Sequence, residues 1–376
     1  MSREISIPTL IDCFTDLPDP RIDRCKRHKL IDIVVIGLAA VICGADGPTA
    51  MAAFGKAKKK WLEQFFELPH GVPSHDTFGR VLSVIDPQEF EHCLLKWVNE
   101  QVKLSNGEVV AIDGKTLRGS HNKAQAQDAI EIVSAWAASQ RLTIGQTKVA
   151  DNSNEITAVP EVLSKLNIEG CIVTVDAINC QKTIATQIRG QKADYVLALK
   201  GNHKNLRDQV AEYLNSVRED RTVGFEISSH QTVDGDHGRI ETRRYWQATA
   251  PDFLPDKNAW RDLKSVGMVE ATRDLNGQVT KEVRYYLSSL PVNSEVFGNA
   301  IRSHWGIENS CHWMLDVVFR EDQCRIRVGN AAENMSTLRR LALNLLRRDK
   351  SEKCGIQIKR LKAALDESYL LKVLTS

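Results

Sequence analysis

The chain has 376 residues, room for two or three domains at roughly 100 to 200 residues each, and its 42 % hydrophobic and 26 % charged content is that of a folded globular protein. With 22 Gly and 11 Pro it is neither collagen-like nor low-complexity. Fifty basic against 48 acidic residues leave a charge of +2, so any surface for nucleic acid has to be local.

Nine cysteines without a Cys-x-x-Cys pair argue against a disulfide framework or a zinc ribbon and fit a reducing cytoplasm. Met1 to Leu10 has no long apolar core and does not read as a signal peptide. The most apolar run, Ile33 to Ala45, has 13 residues between Asp32 and Asp46, short of the roughly 20 a spanning helix needs. It predicts a buried helix.

In chain order, helical spacing covers Leu30 to Cys43, Met51 to Phe66 and Pro87 to Val102, the last opened by Asp86-Pro87, with a loop and short helix over His70 to Arg80. After the Asn106-Gly107 turn the texture changes. Val109 to Ile112 runs into Asp113, Ile132 to Ala138 and Leu142 to Val149 are strand-like, and Glu155 to Leu166 is helical. Cys171 to Val175 is a strand running into Asp176, Lys182 to Arg189 a helix, and Tyr195 to Leu199 a strand ending at Lys200. Strands alternating with helices predict an α/β core. Residues from about 222 to 290 read as a β-rich insertion with an Asn276-Gly277 hairpin signal; Ser294 to about Leu315 returns to helical spacing with Ser294 as N-cap, and Ala331 to Arg348 is a basic amphipathic helix. The expected division is an all-α domain at 1–104, an α/β domain at 105–350 and a helical tail at 351–376.

Asp113 and Asp176 each close a β-branched run, the place where α/β sheets bind ligands. Carboxylates there suit a hard divalent cation, and a pair of cations clamping a phosphodiester needs a third acid. Either Asp alone also reads as a turn residue or helix cap. Glu308 is the candidate third acid, in a helix dense in His304, Trp305, Cys311, His312 and Trp313. His304, Glu308 and His312 fall at i, i+4 and i+8, on one helical face. That face reads as a phosphoryl-transfer surface, as a zinc site with Cys311, or as a polar stripe between half-buried tryptophans. Basic residues gather near the acids: Lys115 and Arg118 follow Asp113, Lys200 closes a strand with Asn202 beside it, and Arg239, Arg243 and Arg244 sit in the insertion. From Arg320 to Lys362 there are 12 Lys or Arg against 5 Asp or Glu, an excess that suits phosphates or a solvated face.

The strings Ala111-Ile-Asp-Gly-Lys-Thr-Leu-Arg-Gly-Ser120, Ser153-Asn-Glu-Ile-Thr-Ala158, Thr174-Val-Asp-Ala177, Ala198-Leu-Lys-Gly-Asn202, Arg284-Tyr-Tyr-Leu-Ser-Ser289 and Ser303-His-Trp-Gly-Ile-Glu-Asn309 closely resemble the H-repeat-associated insertion-sequence transposases, from about Leu10 to Val373. That family is similar to the DDE transposases. The resemblance implies a ribonuclease-H-like mixed sheet with flanking helices and a β-rich insertion, in which Asp113, Asp176 and Glu308 are catalytic and hold Mg²⁺, with Mn²⁺ able to substitute. It implies metal-dependent cleavage of DNA at element ends and strand transfer into target DNA, by a cytoplasmic, nucleoid-associated protein acting as a homodimer on DNA. Lys115, Arg118, Lys200, Asn202, Arg239, Arg243, Arg302, His304, Trp305 and His312 are then expected to face DNA. Related DDE enzymes carry an Arg four residues before the glutamate and a Lys seven after it; here those positions are His304 and Leu315, with Arg302 and His312 the nearest polar substitutes. The reading of another class is an inactive DNA-binding remnant of a mobile element.

Overall fold

A computed structural model describes residues 8–122, 128–151, 153–219, 226–236, 239–275 and 277–376. Ahead of the first strand lie α1 (Pro8–Phe14), α2 (Leu30–Ile42), α3 (Pro48–Ala57), α4 (Lys59–Leu62), α5 (His75–Val84) and α6 (Pro87–Gln101). Their starts are chemically marked. Ser74 accepts a hydrogen bond from the Thr77 N–H, and Asp86 accepts from Gln88 and Glu89 with Pro87 in the first turn. The apolar run is α2, buried at every position but Ile31.

The strands are β1 (Val109–Thr116), β2 (Glu131–Ala137), β3 (Leu142–Lys148), β4 (Ile172–Val175), β5 (Asp194–Leu199), β6 (Ile227–Asp236), β7 (Arg239–Thr249), β8 (Ser265–Leu275) and β9 (Gln278–Ser288). They form one nine-stranded mixed sheet in the order β3-β2-β1-β4-β5-β9-β8-β7-β6. The centre is parallel, β1 with β4 and β4 with β5, while both flanks are antiparallel. The β-rich stretch is therefore continuous with the core sheet and not a separate layer. Tyr285 to Ser288 of β9 pair with Val196 to Leu199, satisfying backbone groups that β5 would otherwise leave open. The hairpin at Gly277 joins β8 to β9; Asn276 and Phe225, both assigned to this stretch from the sequence, lie outside the described residues.

Helices follow in two layers. α7 (Glu155–Ser164), α8 (Lys182–Gly190) and α9 (Lys204–Glu219), the last without a sequence expectation, cover one face, and α10 (Ser294–Gly306) lies across the other. The N-cap of α10 is Asn293, one residue before the expected Ser294; its side chain accepts from Glu295 and Val296. At Gly267 of β8 a Cβ would stand 2.1 Å from the Phe297 ring, so α10 rests directly on the strand because that position carries no side chain. A π-helical turn, Ile307–His312, links α10 to α11 (Trp313–Val317).

The C-terminal helices are α12 (Ala331–Arg348), α13 (Ile356–Leu365) and α14 (Glu367–Leu374). α12 packs against α2, α5, α6 and β3, and one apolar core runs from Leu10 through the sheet to Leu374. The change of texture near residue 104 thus crosses a shared core. Four of the twelve cations of this region are buried and none of the four on α12 is exposed, contrary to the reading of that helix as phosphate-facing or solvated. Arg339 and Arg340 are 1 % and 0 % exposed, and Lys359 and Arg360 donate to the backbone carbonyls of Leu346 and Val41. Glu321 binds the knot together, 3.3 Å from Arg340, 3.9 Å from Arg339 and 3.6 Å from Lys115. Composition counts charges without showing which of them neutralise one another.

Replacing Glu321 by Leu strands Arg339 and Arg340 without their carboxylate, while Lys115 keeps Asp316 and Asp322. An expected loss of about 3–5 kcal/mol follows from breaking a buried pair, read as a lowered urea midpoint, whereas substitution of the exposed Glu63 leaves the midpoint within about 0.5 kcal/mol.

Candidate active site

Asp113 and Asp176 come from neighbouring parallel strands. The β1–β4 register pairs Ile112 with Val175, so the two aspartates are the next residues in line on adjacent chains. Pairing with β4 ends there, but β1 itself continues to Thr116 against β2, so Asp113 lies inside the strand and not at its end as the sequence suggested. Strand spacing alone brings these backbones to roughly 5 Å.

The third acid arrives from α10. Glu308 is on the π turn, and with Asp113 and Asp176 it lines one cavity of about 640 Å³ that also includes Thr174, Lys200, Arg284, His304 and Trp305. A π turn widens the helix by one residue, a distortion common at functional sites. The three acids therefore share one pocket. Burial, and then the charges of Glu308, Glu155 and Asp176, push the Asp113 carboxyl up to about 8. Burial raises Glu308 as well, against the pull of Arg284 and Lys200.

Two further residues belong here that sequence reasoning did not single out. Asn179, fully buried, donates its side-chain N–H₂ to Asp176 at 2.8 Å and to Glu155 at 2.9 Å, and its backbone N–H to Asp176 at 3.3 Å. Glu155, at the start of α7, reaches the sheet edge from the opposite face through the gap left by Gly114, where a Cβ would lie 2.2 Å from its Oε1. Its carboxyl is raised by burial and by a hydrogen bond with Glu131. Glu155 stood inside one of the family strings and Asn179 two residues past another, and only the fold shows that Asn179 joins Glu155 to Asp176.

The histidines are neutral. His304 meets the Thr174 hydroxyl at 2.9 Å, and burial holds it down to about 4; His312 stands 3.5 Å from Asp113 Oδ2, and burial holds it down to about 3. The His312–Asp113 contact is therefore a polar contact and not an ion pair. Cys311 points the other way, into the core at 3.5 Å from Thr143 Oγ1, so the zinc reading lacks its thiolate. Among the described residues no three ligand side chains are drawn together tightly enough to cage an ion unaided. What the site presents is an all-oxygen carboxylate set with uncompensated repulsion, the donor chemistry of Mg²⁺ or Mn²⁺, which complete their coordination with water and phosphate oxygens.

The basic residues divide. Lys200 lines the cavity, and Trp305 forms its wall beneath the Arg284 guanidinium at 4.6 Å. Arg243 and Arg302 line a neighbouring groove, both paired with Asp234. Arg118 is exposed beside Asp322, and Asn202 donates to the Ala177 carbonyl at 2.7 Å outside the cavity. Lys115 cannot serve as an open phosphate contact: its side chain is 7 % exposed and is held by Asp316 at 2.7 Å and Asp322 at 3.0 Å. The side chain of Arg239 lies outside the described residues.

Two family descriptions match the chain: "Transposase DDE domain" over residues 104–345 and "DDE_Tnp_1-associated" over residues 11–98. The chain belongs to the DDE transposase family. It is 40 % identical to the Escherichia coli K12 protein named "H repeat-associated putative transposase YhhI", over 98 % of both chains, and 39 % identical to "Putative transposase YncI" of Escherichia coli O157:H7, over 99 % of this chain and 96 % of that one. A solved structure titled "Cryo-EM structure of piggyBac transposase synaptic complex with hairpin DNA (SNHP)" aligns with a TM-score of 0.42 and 14 % identity over 100 % of this chain and 80 % of that one. No helix among the described residues of this family member is long and apolar enough to cross a membrane.

The Gly114–Glu155 approach yields a double-mutant test. Gly114→Ala is expected to destabilise the protein by about 1–3 kcal/mol, and Glu155→Ala in the same chain to restore part of that loss, a coupling above about 1 kcal/mol in denaturation midpoints. Independent, additive effects would show that the two side-chain positions do not compete for the same space.

Proposed function

We propose that this protein is a DNA transposase that cleaves DNA at the ends of its insertion sequence and joins the freed end to target DNA. The observation that carries the reading is the gathering of Asp113, Asp176 and Glu308, distant in sequence, on the wall of one cavity. On this reading the sheet and its helices are a ribonuclease-H-like core, residues 105–350 are the catalytic part, 1–104 and 351–376 are helical accessories, and the protein works as a homodimer on DNA in the bacterial cytoplasm, associated with the nucleoid.

The three acids are the residues to hold Mg²⁺ or Mn²⁺. Bound there, the ions would lower the pKa of the attacking water or 3′-hydroxyl and neutralise charge on the transferring phosphate. Asn179 fixes the rotamer of Asp176 by a donor that carries no charge of its own. His304, neutral and tied to Thr174, fills the position of a helical arginine and keeps a positive charge from competing with the metal. Lys200, Arg118, Arg243, Arg302 and Trp305 are the candidates for contact with DNA; Asn202 and His312 act at one remove, through the Ala177 carbonyl and Asp113.

The test is strand cleavage on a duplex copied from the DNA flanking the gene. Asp113→Asn, Asp176→Asn and Glu308→Gln are each expected to cut more than about 10³-fold more slowly in Mg²⁺ while binding the duplex within about tenfold of wild type. A wild-type rate in any of the three removes that residue from the metal set. Excision of a marked element in cells separates an active transposase from an inactive remnant: loss of the marker supports the proposal, and its retention with wild-type protein overturns it.

A further inference from the structure

A second groove, of about 410 Å³, opens beside the catalytic cavity between α10 and the face of β7, β8 and β9. Five basic side chains, Arg243, Arg273, Lys281, Arg284 and Arg302, line it against two acids, Glu241 and Glu282. Asp234, paired with Arg243 and Arg302, and Glu270, paired with Lys281 at 2.7 Å, stand beside it, so five cations face four acids and the groove keeps a small basic excess in a nearly neutral chain. Groove and cavity share a wall: Glu282, Arg284, Tyr286, Ile301 and Trp305 line both.

Arg284 is the centre of that wall. Alternation along β9 turns residues 282, 284 and 286 to the α10 side, where the Arg284 guanidinium lies over the Trp305 ring at 4.6 Å. Glu282 engages it in a fork, at 2.7 Å from Nε and 3.1 Å from one terminal nitrogen. Glu282 is itself 60 % exposed, whereas the Arg284 side chain is 32 % exposed. The arginine is thus pre-positioned by a flat aromatic surface, and its counter-charge is a solvent-exposed carboxylate whose place a phosphate can take. Trp305 precedes Glu308 by three residues on the same helix, and the Arg284 charge acts on the Glu308 carboxyl. Among the described residues, no other aromatic ring of the cavity carries a cation.

We propose that Arg284, stacked on Trp305, grips the backbone phosphate next to the scissile one, where the DNA strand passes from the basic groove into the cavity of the three acids. The inference rests on the transposase reading and names the residue that aligns its substrate. A guanidinium held flat presents two parallel donors to a phosphate, which a lysine ammonium does not. Glu282 would swing to solvent as the strand enters.

The experiment compares wild type, Arg284→Gln, Arg284→Lys and Trp305→Ala on the flanking-sequence duplex, in single-turnover cleavage and in equilibrium binding over a range of salt. Arg284→Gln is expected to lower the cleavage rate by about 10²-fold and to flatten the dependence of log affinity on log salt by about one phosphate contact. Arg284→Lys restores the salt slope but not the rate, and Trp305→Ala resembles it. The binding arm is repeated in Asp113→Asn protein, which retains DNA without cutting, so that a failure of cleavage chemistry does not conceal the result. An unchanged salt slope in Arg284→Gln overturns the proposal even if wild type cuts DNA. A wild-type cleavage rate for Arg284→Gln overturns it too, and unaltered circular dichroism and melting in each variant exclude simple misfolding as the source of a loss.

Discussion

The molecule depends on the register of two parallel strands. Once Ile112 is paired with Val175, the following residues, Asp113 and Asp176, are forced side by side at the distance of one strand spacing. Burial first, and then the charges of Glu308, Glu155 and Asp176, push the Asp113 carboxyl up to about 8. Its immediate surroundings are consistent with that shift. Asn179 donates hydrogen bonds without adding charge, and His304 and His312 are kept neutral by burial. Lysine and arginine stay at the rim, as Lys200 and Arg284. A pocket with this distribution stabilises cations that arrive from outside, and an internal salt bridge would have consumed the same potential.

Holding Glu308 opposite that pair is a packing problem. α10 crosses the sheet at close range because Gly267 leaves room for Phe297, and Gly298 presents a bare backbone to the Tyr245 ring, where an added Cβ would meet ring atoms at 3.1 Å. The π turn then begins, which alters the azimuth of every later side chain. Buried Ile307 and Cys311 face the core from this turn, while Glu308 and Asn309 project outward. A regular helix with the same sequence would share the tilt but not the azimuth.

Much of this was legible in the sequence, for physical reasons that differ from element to element. The β-branched runs before Asp113 and Asp176 announced strands, Asp86-Pro87 announced a helix, and the acids stood out by their position. The continuity of β9 with β5 was not legible, because strand pairing between distant segments leaves no local periodicity. Neither was α9, nor the π turn, whose residues have ordinary helical propensity. The basic C-terminal stretch misled because composition does not distinguish Arg340, which neutralises Glu321 in the core, from an arginine in water. Lys115 misled for the same reason, and Glu155 and Arg284 passed unassigned because Asn179 and Trp305, the partners that tie them to the site, are far off in the chain.

Lys115 nevertheless explains how the acids are kept in alignment. Asp113 and Lys115 are two residues apart on β1 and point to the same face, a repeat of about 6.7 Å. His312 and Asp316 are four residues apart at the end of the Glu308 helix, a rise of about 6 Å. The two repeats nearly match, and the contacts form in parallel, His312 with Asp113 at 3.5 Å and Asp316 with Lys115 at 2.7 Å. Strand and helix are thereby locked at two points one turn apart, so sliding α11 along β1 by a single residue would break both contacts together. Leu315, on the same turn, is fully buried in the main core and holds α11 against it by packing. Lys115 is turned inward against Asp316 and Asp322, where it fixes the geometry of strand and helix.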